Sequence, residues 1–293
     1  MKERILRVGK PTPLIGIATE PTTFDPSRPA LLILNSGVMH HVGACRLSVK
    51  IARSVAERGV LAVRFDFSGI GDSEPRRGAE SFETTSLREC TEVMDYLEKN
   101  RGITQFIIFG LCSGADAAYN TALADKRVIA FSQIDAYCYV TPLFYFHHYF
   151  PVFFNYARWK RFLSNQFRGF LKYSTPNEAS APTETSENFE MPTYTRIFPP
   201  RETVARGLSE LASRGVKMQV IFTGGERCYN HQGQFRYSFR DVDFRDYLSV
   251  EYFPETNHII TQPAQQCLVV ETVSQWITES SVPATPSTQR AVL

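Results

Sequence analysis

Short apolar runs alternating with helical periodicity constrain this 293-residue chain more than any other feature. Ala30-Leu31-Leu32-Ile33-Leu34 is apolar throughout and ends in Asn35-Ser36-Gly37, a pattern that predicts a buried strand and a turn. Leu47, Ile51 and Val55 then recur every four residues with Arg and Lys between them, which predicts an amphipathic helix closed by Gly59. Further strands are expected over 60–65, Phe106-Ile107-Ile108-Phe109-Gly110 and 128–134. Helices are expected around Leu87, Cys90, Met94 and Leu97 and over 115–124. Strands without a polar face, joined by crossover helices, predict an α/β protein with a mostly parallel central sheet flanked by helices.

The alternation breaks after Asp135. Ten aromatic residues fall within 139–159, and 174–200 is rich in Pro, Ser, Thr and Glu, as expected of a connector. A helix over 202–213, strands over 218–222 and 248–253 and a helix over 263–278 then resume the pattern. The expected organisation is a core in two parts, 1–137 and 201–279, interrupted by an insertion and connector over 138–200. A frayed tail over 280–293 follows. The 32 basic and 30 acidic residues nearly cancel, so no broad cationic field is available for nucleic acid. Residues 1–10 lack the apolar stretch of a signal peptide, and no apolar run reaches the ~18 residues of a transmembrane segment. A cytoplasmic location with reduced thiols is expected. Six cysteines without a CxxC pair suit neither a disulfide scaffold nor the usual zinc signature.

One of those cysteines is placed for chemistry. Gly110-Leu111-Cys112-Ser113-Gly114 lies between a strand and a helix, with glycine two residues before and after Cys112. A nucleophile on so sharp a turn needs small residues at both places, or side chains collide as the backbone doubles back. Ser113 is the rival nucleophile, but its own minus-two neighbour is the bulky Leu111. At a helix N-terminus a Cys112 thiolate would be stabilised by free N–H groups, and the N–H of Ser113 would point into an oxyanion hole. The plain alternative is a small buried thiol at a tight turn.

With these motifs the chain, from about Leu31 to Thr278, resembles the α/β-hydrolase superfamily, in which dienelactone hydrolase carries cysteine at the nucleophile position. Asn35-Ser36-Gly37, His41-Val42-Gly43, Arg46-Leu47 and Gly110-Leu111-Cys112 resemble hydrolases associated with exosortase systems more closely. The segment from Asp66 to Ser73 matches the superfamily's D-x-x-G-x-G-x-S loop. The resemblance implies that His258, after the last strand, is the base. It implies that Glu226, in Thr223-Gly224-Gly225-Glu226, is the acid, with Asp135 at the end of the preceding strand as the second choice. It also implies that the N–H of Val38 is the second oxyanion donor, with Met39, His40 and His41 lining the pocket. The two adjacent histidines have no third ligand at a recognisable spacing, so neither a metal nor any other cofactor is expected. Arg46 would fit either a narrower family feature or a surface ion pair.

The aromatic insertion sits where this superfamily places a lid. Phe144, Phe146 and Phe150 would line an apolar substrate pocket, although such aromatics would equally pack the lid onto the core or form a homodimer interface. Arg158, Lys160, Arg161 and Arg168 would suit either a carrier's phosphate arm or a solvated face. The expected activity is acyl hydrolysis of an ester, lactone or thioester with a bulky hydrophobic acyl part, small or carrier-bound, through an acyl-cysteine intermediate. Transfer to an amine or hydroxyl, as in an acyltransferase or cyclase, is the first alternative. A hydrolase fold that binds without catalysis is the second.

Overall fold

A computed structural model of the chain describes residues 1–76, 80–153 and 196–282, with side chains in those spans except at 149–153. The chain opens with β1 (Lys2–Val8) and β2 (Leu14–Glu20), followed by β3 (Ala30–Ile33), α1 (Leu47–Glu57), β4 (Ala62–Phe65) and α2 (Phe82–Arg101). Next come β5 (Phe106–Leu111), α3 (Ser113–Ala124), β6 (Val128–Ile134) and α4 (Pro142–Phe153). The last elements are α5 (Arg201–Ser213), β7 (Lys217–Thr223), α6 (Gln234–Ser238), β8 (Leu248–Phe253) and α7 (Pro263–Ser280).

The eight strands form one sheet in the order β1-β2-β4-β3-β5-β6-β7-β8. Strands β3 to β8 are parallel, in line with the apolar runs that predicted them, whereas β1 pairs antiparallel with β2 and β2 with β4. This leading hairpin is absent from the sequence-based expectation. Its first strand, KERILRV, buries only Leu6 and Val8 and carries charge on its open side, so it lacks the continuous apolar signal of a central strand.

Side-chain alternation along the strands divides the core in two. Leu31 and Ile33 of β3 face α1 and α7, where Ile51, Val55, Val269, Val273 and Ile277 are fully buried. Leu32 faces the other side, against Val93, Met94 and Leu97 of α2, Ala118 and Ala122 of α3 and Leu208 and Leu211 of α5. Both faces are therefore covered by helices, which is what a central parallel strand requires. Among the described residues no helix is long and apolar enough to cross a membrane. The loops leaving the C-terminal ends of β3 to β8 converge along one edge, where parallel α/β sheets place their sites.

Candidate active site

Cys112 stands between β5 and α3 with φ 55° and ψ −117°, a conformation outside the regions open to ordinary residues. A Cβ on Gly110 would overlap the Gly114 carbonyl, and a Cβ on Gly114 would overlap that of Asn35. Both glycines are thus fixed by close backbone approach. The neighbouring Ser113 is buried, and its Oγ accepts the N–H of Gly37 at 2.6 Å. That serine side chain is occupied in holding the loop after β3, while the Cys112 thiol is half-buried at the head of the helix.

His258, on the loop between β8 and α7, is near enough to the Cys112 thiol to be influenced by it. Its Nδ1 lies 2.6 Å from Oδ2 of Asp135. The Asp135 hydrogen bond first, and Cys112 second, overcome the burial of the ring and raise the imidazole pKa to about 10. Asp135 is fully buried at φ 51°, and its carboxylate also accepts the N–H and Oγ1–H of Thr223, each at 2.8 Å. A carboxylate with three donors is held in one orientation.

The acid expected from the sequence was Glu226, and the structure corrects this. The turn after β7 closes when Glu226 N–H donates to the Thr223 carbonyl at 3.2 Å, and Glu226 Oε1 then accepts the N–H of Cys228 at 3.1 Å. Gly225 presses its backbone against that of His258, where a Cβ would overlap the His258 nitrogen. The β7 turn therefore supports the histidine with main chain and aims its carboxylate elsewhere. The side chain that reaches His258 belongs to the end of β6.

The loop after β3 folds into a turn, with Met39 N–H donating to the Ser36 carbonyl at 3.1 Å and Gly37 at φ 55°. Val38 is 80% exposed, and among the described residues its N–H has no acceptor. The N–H of Ser113, at the first position of α3, is likewise outside the helical ladder. These two N–H groups lie on the pair of backbones that Ser113 Oγ ties together.

His41 departs from its expected place in the pocket lining. It is buried, its N–H and Nδ1 each 2.6 Å from the fully buried Asp66 carboxylate. Asn35 Nδ2 donates to Asp66 at 2.8 Å and to the Met39 carbonyl at 2.7 Å, and Asp72 N–H completes the set at 3.1 Å. Burial opposes the Asp66 charge, but the donors led by His41 outweigh it and lower its pKa. The D-x-x-G-x-G-x-S loop thus builds a polar frame for the oxyanion turn. His40 is more exposed, its Nε2 3.2 Å from Asp72. Met39 and His40 border a void of about 20 Å³ with Leu34, Leu47 and Phe109. That space is too small for an acyl chain.

Helix α4 carries the aromatic segment. Phe144 is half-buried and stacked on His148, its carbonyl accepting from Asn230 at 3.0 Å, while Phe146 is exposed. The side chain of Phe150, and the cations Arg158, Lys160, Arg161 and Arg168, lie outside the described residues.

Sequence reasoning missed the pair Arg196–Asp116. Asp116 sits one helical turn after Cys112, and Arg196 donates to both its oxygens at 2.6 Å. A third donation, at 2.9 Å, reaches the Asp135 carbonyl. The guanidinium lies 4.7 Å from the Phe198 ring and 5.5 Å from that of Tyr137. An acidic residue at i+4 from Cys112 was a visible signal. Its arginine, in a segment read as a connector, was not.

The profile of the family described as "Serine aminopeptidase, S33" matches residues 26–196. No curated protein matches. Among solved structures, an α/β serine hydrolase homologue from Coxiella burnetii is 12% identical with TM-score 0.55, covering 94% of this chain and 96% of its own. An α/β serine hydrolase without a lid from Xanthomonas campestris is 14% identical, with TM-score 0.56 and 98% of each chain covered. Est1E from Butyrivibrio proteoclasticus is 12% identical with TM-score 0.56, covering 94% of this chain and 98% of its own. At such identities the likeness is one of fold. Together with the family profile and the parallel sheet, it establishes that this chain belongs to the serine aminopeptidase S33 family of α/β-hydrolases.

Proposed function

We propose that the chain is an acyl hydrolase in which Cys112 is the nucleophile, His258 the base and Asp135 the acid. The observation that carries this reading is the 2.6 Å hydrogen bond of Asp135 to His258 beside a thiol on a strained strand-to-helix turn. Cys112 gives its thiol proton to His258 as its sulfur attacks the carbonyl carbon of an ester, lactone or thioester, and the carbonyl π electrons move to oxygen. The N–H groups of Val38 and Ser113 are the donors for that oxyanion. As the tetrahedral species collapses, the bond to the leaving group breaks and protonated His258 supplies its proton. Neutral His258 next takes a proton from water, whose oxygen attacks the acyl-cysteine and returns the thiol. Asp135 keeps the ring in one orientation and stabilises its charged form throughout.

The void behind the oxyanion turn cannot hold the acyl part. The half-buried Phe144 and exposed Phe146 on α4 support a hydrophobic acyl group. The test is intact-mass analysis after mixing with an aryl ester or an acyl thioester and quenching in acid. An adduct equal to the acyl group, absent from Cys112→Ala, is expected. Turnover undiminished in Cys112→Ala would overturn the reading. An adduct that water leaves intact and an added amine or alcohol discharges would identify the activity as transfer.

A further inference from the structure

A second group of reactive side chains lies beside the proposed triad. Cys138 Sγ, Cys228 Sγ and a carboxylate oxygen of Glu226 are all within 4.8 Å of one another. They come from two loops: Cys138 follows Asp135 at the end of β6, and Glu226 and Cys228 follow β7. Cys138 is buried and the other two are half-buried. The Cys228 N–H holds Glu226 Oε1 in place at 3.1 Å, and among the described residues no cation pairs with this carboxylate. Arg196 acts on it through space, but the guanidinium's bonds run to Asp116 and the Asp135 carbonyl.

We propose that Cys138, Cys228 and Glu226 form a binding site for a thiophilic divalent cation of the Zn²⁺ type, with a fourth position open to water. Two sulfurs and one carboxylate oxygen select a borderline-soft metal over Mg²⁺ or Ca²⁺, which favour oxygen alone. Tetrahedral Zn²⁺ bonds sulfur at about 2.3 Å and carboxylate oxygen at about 2.0–2.2 Å, which places such donors about 3.5–3.8 Å apart. Donors already within 4.8 Å reach that spacing by side-chain rotation. Coordination releases one proton from each thiol to solvent, and no oxidation state changes. Two thiolates and a carboxylate exceed the charge of a divalent ion by one, and the Arg196 guanidinium faces that excess. A bound cation would join the loop carrying Asp135 to the loop that supports His258.

The site is independent of the proposed hydrolysis, and its test separates the two. The full-length chain, reduced and stripped with a chelator, is titrated with Co²⁺, whose thiolate complexes absorb by charge transfer in the near ultraviolet. One equivalent is expected to bind and to be displaced by Zn²⁺. Because Cys112 and His258 are also ligating groups, Cys112→Ala is expected to keep the band. Cys228→Ser, at a half-buried position, is expected to abolish it. Glu226→Gln is expected to weaken binding by about tenfold or more, the loss seen when even an outer-shell partner is removed. The midpoint of thermal unfolding shows that each variant is folded. No band in the reduced wild type, loss of the band in Cys112→Ala, or an undiminished band in both Cys228→Ser and Glu226→Gln would overturn the proposal.

Discussion

Arg196 grips Asp116 through two hydrogen bonds of 2.6 Å, and the same guanidinium holds the carbonyl of Asp135 at 2.9 Å. One half-buried cation thereby links the helix that begins at Cys112 to the strand end that carries the proposed acid. Arg196→Ala leaves Asp116 without its cation in a largely buried site, a loss of about 3–5 kcal/mol for such pairs. Arg196→Lys keeps the charge but cannot donate in parallel to both oxygens. Urea denaturation is expected to rank stability as wild type, Lys variant, Ala variant. Equal midpoints for wild type and Arg196→Ala would contradict the linkage.

The second prediction concerns pH. The folded His258 pKa is raised from 6.5 to about 10. Between those values the folded chain binds more protons than the unfolded one, so this group's stabilisation is complete below pH ~6.5 and disappears as pH rises through about 10. The stability difference between wild type and His258→Ala should narrow over that window in calorimetric melts. The alkaline limb of kcat/KM should follow the same group, since its proton goes to the leaving group. Asp135→Asn removes the largest cause of the raised value and should move that limb down, whereas Glu226→Gln should leave it in place.

Loss of the proposed nucleophile has its own signature. Cys112→Ala should reduce kcat by on the order of 10³-fold or more while leaving KM within a few-fold, because substrate positioning does not require the thiol. Steady-state kinetics on an aryl ester measures both parameters.

Ser113 tests the oxyanion turn. Ser113→Ala deprives the half-buried Gly37 N–H of its acceptor, at a cost of about 1 kcal/mol for a lost hydrogen bond. The turn carrying the Val38 N–H then loses its tie to α3. The expected result is a lower kcat with little change in KM, together with a lower unfolding midpoint. A serine that served as nucleophile would instead lose the acyl adduct.

Gly110→Ala tests the turn itself. The added methyl would overlap the Gly114 carbonyl, which belongs to backbone and cannot rotate away. Destabilisation of about 1–3 kcal/mol, the range for forced overpacking, is expected in denaturant melts, with activity lost more than stability.

The parallel strands and their helices were legible because burial on both faces leaves a continuous apolar run, as in Ala30–Ile33. The elbow was legible because Gly110 and Gly114 answer a steric demand that few other arrangements make. Strand β1 was not, since an edge strand with one solvated side needs only Leu6 and Val8 to anchor it. The acid was misassigned for a different reason. Asp135 and Glu226 both follow strand ends on the same edge, and only the closure of the Thr223–Glu226 turn decides which carboxylate meets His258. His41 was read as a pocket residue because sequence proximity to the oxyanion turn does not reveal that its ring points back to Asp66. Cys138 and Cys228 lie far apart in the chain and share no motif, so their meeting is a product of neighbouring strands alone.

The position of Asp135 has one more consequence. Strands β5 and β6 are hydrogen-bonded neighbours, with Leu111 paired to Ile134, so the proposed nucleophile and the proposed acid both follow directly from one strand pair. Their separation is set by the interstrand spacing of the sheet, about 4.8 Å, rather than by the course of a loop. Changes in the aromatic segment carried by α4, which belongs to neither strand, would therefore leave that separation unchanged.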